Sequence, residues 1–181
     1  RMVQTGTPAP RGSRSQFDIA AHYQDMLELD RDVHEDRELA QAEVALALRL
    51  VGDVPRRLFL PCCGMGRHVD PFRNTGVGRI HGVDLSAPTV ELGRTRYGNA
   101  RGVSFEVADL CEWATAETFD AAFLGGNSYA DITDHNQLVA MTRCMVAPLR
   151  PGAPFVMDYI SEGYLDRCAL ERTSTWHVPN F

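Results

Sequence analysis

Gly64 and Gly66 stand in the run Arg57-Leu-Phe-Leu-Pro-Cys-Cys-Gly-Met-Gly-Arg67, and Asp84 closes the run Ile80-His-Gly-Val-Asp84. The first run reads as a short apolar strand that enters a glycine-rich turn and then a helix. The second reads as another strand with an acid at its carboxyl end. A Gly-x-Gly turn lets the backbone approach a ligand with no Cβ in the way. An acid at the tip of the next strand can accept hydrogen bonds from both hydroxyls of a ribose. The pair therefore describes a pocket for an adenosine-containing cofactor at the carboxyl edge of a parallel sheet. A dinucleotide fingerprint needs a third glycine, and Val69 stands at that position. Glycines also serve turn geometry alone, so on these residues a bare tight turn stays open beside the cofactor pocket.

The pattern continues downstream. Val103-Ser-Phe-Glu-Val-Ala-Asp109 is a strand ending in an acid, with Leu110 next and Trp113 four positions on. Phe119 to Leu124 is a further strand that opens into the polar loop Gly125-Gly-Asn127-Ser128-Tyr129. Phe155-Val-Met-Asp158-Tyr159 follows the turn Leu149-Arg-Pro-Gly-Ala-Pro154.

The elements that must hold these residues alternate along the chain. The spacing predicts strands over 57–61, 79–83, 103–107, 119–124 and 154–159. Helices are expected over 65–74, 87–97, 132–149 and 162–170. Apolar runs of about five residues between helices indicate a parallel sheet covered on both faces. The expected fold is α/β, a Rossmann-like doubly wound and mainly parallel sheet, with N-terminal helices before it. Residues 1–14 read as a flexible tail, and 15–181 as a single domain. Within it, 15–52 form a helical cap and 53–160 the cofactor-binding core.

In this order the motifs resemble the class I S-adenosylmethionine-dependent methyltransferases, over roughly residues 20–165. The loop after the fourth strand, with Met157-Asp-Tyr-Ile, resembles the glycine and sarcosine N-methyltransferases and related small-molecule enzymes. The resemblance implies S-adenosylmethionine as cofactor and a small-molecule acceptor, with an amine nitrogen favoured. It implies that Gly64 and Gly66 pass along the methionine part and that Asp84 takes the ribose, with Cys63 and Leu85 also at the cofactor; Arg67 pairs with the cofactor, a substrate carboxylate or a surface acid. Asp109 and Leu110 fall at the adenine, and Gly125 beside the sulfonium. Asn127 and Tyr129 are then the candidate catalytic residues, and with Tyr23 and Tyr159 they form the candidate acceptor pocket. Oxygen or carbon methylation, as in natural-product tailoring, and a non-catalytic cofactor- or partner-binding domain are the competing functions. The chain departs from the family at Leu60, where an acid is usual. The family's seven-stranded core also leads one to expect C-terminal strands that this chain lacks, an uncovered sheet edge and room for a homo-oligomer.

Methyl transfer from a sulfonium needs alignment and exclusion of water more than an acid–base triad. A nicotinamide oxidoreductase of similar fold would want the third glycine and a Tyr-x-x-x-Lys pair, and the chain has no lysine at all. Its 181 residues, 44% apolar and 23% charged, suit one globular domain. A net charge of −6 gives no basic footprint for nucleic acid. Apolar runs are too short for a membrane span. Five cysteines in no metal spacing suggest reduced thiols and a cytoplasmic protein, and no metal is expected.

Overall fold

The computed structural model describes residues 36–132 and 134–159. Helix α1 spans Arg37–Val51, followed by β1 (Arg57–Pro61), α2 (Val69–Asn74), β2 (Arg79–Asp84) and α3 (Ala87–Tyr97). Then come β3 (Val103–Val107), β4 (Ala121–Leu124), a 3-10 turn over Ser128–Asp131, α4 (His135–Val146) and β5 (Phe155–Met157). The strands pair in the order β3-β2-β1-β4-β5, with every pairing parallel. This is the doubly wound sheet expected from the sequence.

Some boundaries differ from the expectation. The helix expected from residue 65 begins only at Val69, because 62–68 form the turn itself. The fourth and fifth strands shorten to Ala121–Leu124 and Phe155–Met157. The helix expected over 132–149 starts at His135, where Asp134 caps it by accepting from Gln137 N at 2.9 Å. The expected helix 162–170, the 1–14 tail and Tyr23 lie outside the described residues.

Side-chain alternation in β1 builds two cores. Leu58 and Leu60 face α1 and α2, against Val44, Ala47, Val69 and Phe72. Phe59 faces the other way, onto Trp113, Phe119, Met141 and Met145 of the α4 side. Period-2 alternation with both faces covered is what a central parallel strand requires. It also explains Leu60: at 2% exposure it belongs to the first core, where an ionised acid would need a partner.

The amino edge of the sheet is basic. Arg57 opens β1 directly across from Arg79, which opens β2. Glu117 takes the Arg57 guanidinium at 2.5 Å, and Asp120 accepts from Arg57 N at 2.9 Å and faces Arg150 at 3.4 Å. A shallow groove there is bordered by Arg57, Arg79, Arg101 and His81.

Phe59 is wholly buried and stacks on Trp113 and Phe119 with ring centroids 4.9 and 5.2 Å apart. Phe59→Ala is expected to lower unfolding free energy by about 3–5 kcal/mol, the usual cost of emptying an aromatic site in a core. Urea unfolding followed by circular dichroism measures it. A loss under about 1 kcal/mol would mean the second core does not depend on this ring.

Candidate functional site

The strand order reverses between β1 and β4, since β2 and β3 lie to one side of β1 and β4 and β5 to the other. Open parallel sheets place their ligand crevice outside the carboxyl ends of the strands at such a point. Three loops meet there: 62–68 after β1, 84–86 after β2 and 125–128 after β4.

The first loop is fixed by short backbone bonds. Cys63 N donates to Val83 O, Gly66 N to Cys63 O and Val69 N to Gly66 O, at 3.2, 2.9 and 3.0 Å. Gly66 has φ of +83°, and a Cβ on it would meet Phe105 Cζ at 2.8 Å. Only glycine satisfies both the left-handed backbone and the contact. Cys62 also adopts a left-handed φ, +49°. A side chain there costs roughly 1–2 kcal/mol, so the surrounding loop must over-determine it. Cys63 is partly buried, and its desolvation followed by the nearby Asp84 charge pushes the thiol pKa well up, which keeps it protonated.

Asp84 ties the first two loops together. One carboxylate oxygen accepts from Gly64 N and the other from Ser86 N, both at 2.8 Å. The expected partners Gly64 and Asp84 are thus in direct contact. Leu85 beside them is 41% exposed, an apolar side chain open to the crevice edge. After β3, Asp109 accepts from Cys111 N at 2.8 Å, and Leu110 and Trp113 turn into the core. Leu110 can therefore offer a ligand its backbone only.

The third loop is held by an acid from the next strand. Asp158 accepts from Gly126 N and Asn127 N, each at 2.8 Å. Asn127 sits in the left-handed region at φ +56°, which asparagine tolerates better than most residues. Tyr129 packs on the α4 core, with its hydroxyl 3.0 Å from Thr142 Oγ1. Its hydroxyl thus has a scaffold partner where the sequence reading gave it an acceptor. Tyr159 is 74% exposed at the end of β5.

Sequence reasoning missed Glu43. This α1 residue accepts from Arg67 Nη2 at 2.7 Å and 2.6 Å through its two oxygens, and lies 2.7 Å from His68 Nε2. Arg67, expected at the cofactor, a substrate carboxylate or a salt bridge, has its Nη2 bonded to Glu43 of α1. Burial alone would raise the Glu43 carboxyl, but the His68 bond and the Arg67 charge outweigh it and its pKa falls below the ordinary value. Burial lowers the His68 pKa despite the Glu43 bond. Ala40, Glu43, Val44 and Ala47 follow the i, i+3, i+4, i+7 spacing of one helix face, so an acid on the buried stripe of α1 was the available signal. No group of three or more His, Cys, Asp or Glu side chains suited to a metal occurs among the described residues. No helix among them is long and apolar enough to cross a membrane.

A family profile described as a methyltransferase domain matches residues 61–152, half of the chain. No curated protein is significantly similar in sequence. Among solved structures, the chain is similar to an S-adenosylmethionine-bound amino pentose methyltransferase from Micromonospora echinaspora involved in calicheamicin biosynthesis. That match has a TM-score of 0.61 at 22% identity and covers 83% of this chain and 60% of the other. An N-methyltransferase from Bradyrhizobium japonicum gives 0.60 at 20%, over 76% and 75%. An S-adenosylmethionine-dependent methyltransferase from Clostridium acetobutylicum gives 0.62 at 17%, over 81% and 58%. The chain thus spans about three-fifths of the first and last of these proteins.

The Glu43–His68 pair has a defined pH signature. Both folded-state pKa values are depressed, so the folded protein binds fewer protons than the unfolded chain as pH falls. The stability they contribute is complete above the ordinary histidine value. It is lost first as pH drops from there through the depressed His68 pKa, and then from the ordinary glutamate value down through that of Glu43. His68→Gln should remove the upper part of this loss and, because the His68 bond helps hold the Glu43 pKa down, shrink the lower part as well. Melting temperatures of parent and variant from neutral pH down to pH about 3, below the ordinary glutamate value, test it; parallel curves throughout would refute the assignment.

Proposed function

The chain belongs to the methyltransferase domain family, and on that premise we propose that it transfers a methyl group from S-adenosylmethionine to a small-molecule amine. The observation that carries the reading is the Gly64–Asp84 contact, which joins the Gly-x-Gly turn to the acid of the next strand at the point of strand reversal.

The residues fit the cofactor. A carboxylate has about four acceptor sites, so Asp84 can take ribose hydroxyls while keeping its two backbone bonds. A Cβ on Gly64 would meet nothing within 4 Å, so the turn leaves open space above it. Leu85 supplies an apolar edge for the adenine, and Asp109 an acceptor for its amino group. When bound, S-adenosylmethionine supplies a methyl group already activated by a positive sulfur.

The protein's remaining tasks are alignment and charge. The Gly125–Asn127 turn, fixed by Asp158, borders the space where an acceptor would lie. The Asn127 side chain offers both a donor and an acceptor to an amine. Asp84, Asp109 and Asp158 stand at the carboxyl edge, where they favour cations in the crevice, while the Glu43 charge is offset by Arg67. An amine acceptor must lose its proton before attack, and no strong base is needed if it is neutral at working pH. The amino-sugar and N-methylating relatives in structure support nitrogen as the target. Oxygen acceptors fit less well, because among the described residues no free base at this edge is arranged to ionise an alcohol.

Calorimetry with S-adenosylhomocysteine and with NADH tests the cofactor. Binding of the first alone is expected; the reverse result would sink the reading. Asp84→Ala should cost roughly 1.5–3 kcal/mol of that affinity and Asp84→Asn less, in line with hydrogen bonds to a charged group.

The acceptor class is tested by a screen of amines, phenols and alcohols with radiolabelled S-adenosylmethionine. Methylation of amines that rises with pH is expected, with Asn127→Ala lowering turnover more than cofactor affinity. Product from phenols or alcohols alone would redirect the proposal to oxygen. No product from any class, with intact cofactor binding, would favour a binding domain.

A further inference from the structure

Three charged groups and one ring converge beneath the loop that follows β4. The His68 imidazole meets Phe123 edge-on, with centroids 5.0 Å apart and planes at 88°. Its Cε1 would lie 2.8 Å from a Cβ on Gly125, so the ring fills the space that glycine leaves. Arg67 Nη2 would lie 3.9 Å from a Cβ on Gly126. Both side chains thus abut the loop from the β1 side, while Asp158 grips its two amides from the β5 side. What holds the first pair in place is the Glu43 carboxylate of α1, and the side chains of Arg67 and His68 are 9% and 10% exposed.

We propose that Glu43 is a positioning residue of the cleft: by holding Arg67 and His68 together it fixes the Gly125–Asn127 turn against which cofactor and acceptor are aligned. The role rests on the methyl-transfer reading for its purpose, though not for its geometry. A glutamate here makes a specific demand. Its two oxygens serve three short contacts, two to Arg67 and one to His68, so neither partner can shift without breaking the other's support. Arg67 follows Gly66 directly, and His68 directly precedes the first residue of α2. Any movement of α1 would therefore reach the glycine turn and the β4 loop together. Half-buried and tightly bonded, Glu43 contributes more here than an exposed surface pair would.

The test uses the full chain and the variants Glu43→Ala and Glu43→Gln, with Glu117→Gln at the opposite edge as control. Amide hydrogen exchange is read at Gly126 and Asn127 and, for comparison, at Phe59 and Val83 in the central strands. S-adenosylhomocysteine affinity is measured on the same samples. Glu43→Ala is expected to speed exchange at Gly126 and Asn127 about tenfold, to leave the strand amides unchanged and to weaken S-adenosylhomocysteine severalfold. Glu43→Gln keeps an acceptor oxygen and the shape, and should recover much of both effects; Glu117→Gln should change neither. Unchanged loop exchange in Glu43→Ala, acceleration equal in loop and strands, or parental S-adenosylhomocysteine affinity in that variant would each overturn the proposal. If the parent itself binds no S-adenosylhomocysteine, the methyl-transfer reading falls, and the loop exchange alone then decides whether Glu43 fixes the turn.

Discussion

Burial of β1 on both faces is the constraint from which the rest of the architecture follows. Leu58 and Leu60 on one side and Phe59 on the other leave no face for water. Helices must then cover each side, and the chain must cross over the sheet in both directions from this strand. The two directions part between β1 and β4, and that parting opens the crevice. The site is thus a by-product of how the apolar strand is covered, and the loops at its rim are free to carry chemistry.

Those loops share one device. After each of β2, β3 and β5 an aspartate accepts from backbone amides: Asp84 from Gly64 and Ser86, Asp109 from Cys111, Asp158 from Gly126 and Asn127. A carboxylate that satisfies amides of its own or a neighbouring turn does two things at once. It pairs donors that a tight turn would otherwise leave without partners, and it places negative charge at the crevice. Glu43 extends the device to a helix outside the core, through side chains in place of amides.

Much of this was legible in the sequence because it depends on local chemistry. Short apolar runs separated by glycine turns marked the strands, and the acids at the ends of β2, β3 and β5 marked the rim. Asp84 and Gly64, expected to share a ligand, share a hydrogen bond. What escaped the sequence depends on contacts across long separations. Glu43 meets Arg67 and His68 across 24 and 25 residues; helix spacing puts it on the buried face of α1, but nothing local names its partners. The Tyr129 hydroxyl reaches Thr142 in the following helix, a pairing fixed only once α4 packs on the sheet. Leu60 looked like a lost acid; its burial shows the strand's alternation deciding its character.

The two edges of the sheet differ in sign. Arg57, Arg79, Arg101 and Arg150 outnumber Glu117 and Asp120 at the amino edge, while Asp84, Asp109 and Asp158 stand at or just after the carboxyl ends of their strands. Along the strand direction this part of the molecule is therefore an electric dipole, superimposed on the chain's net negative charge. A dipole experiences torque in the field of an approaching ion, so a cation drawn to the protein also turns it, bringing the carboxyl edge to the front before contact. An anion turns it the other way. The orienting effect reaches only about a Debye length, roughly 8 Å at physiological ionic strength. Added salt therefore removes the rotation before it disturbs any bond within the fold.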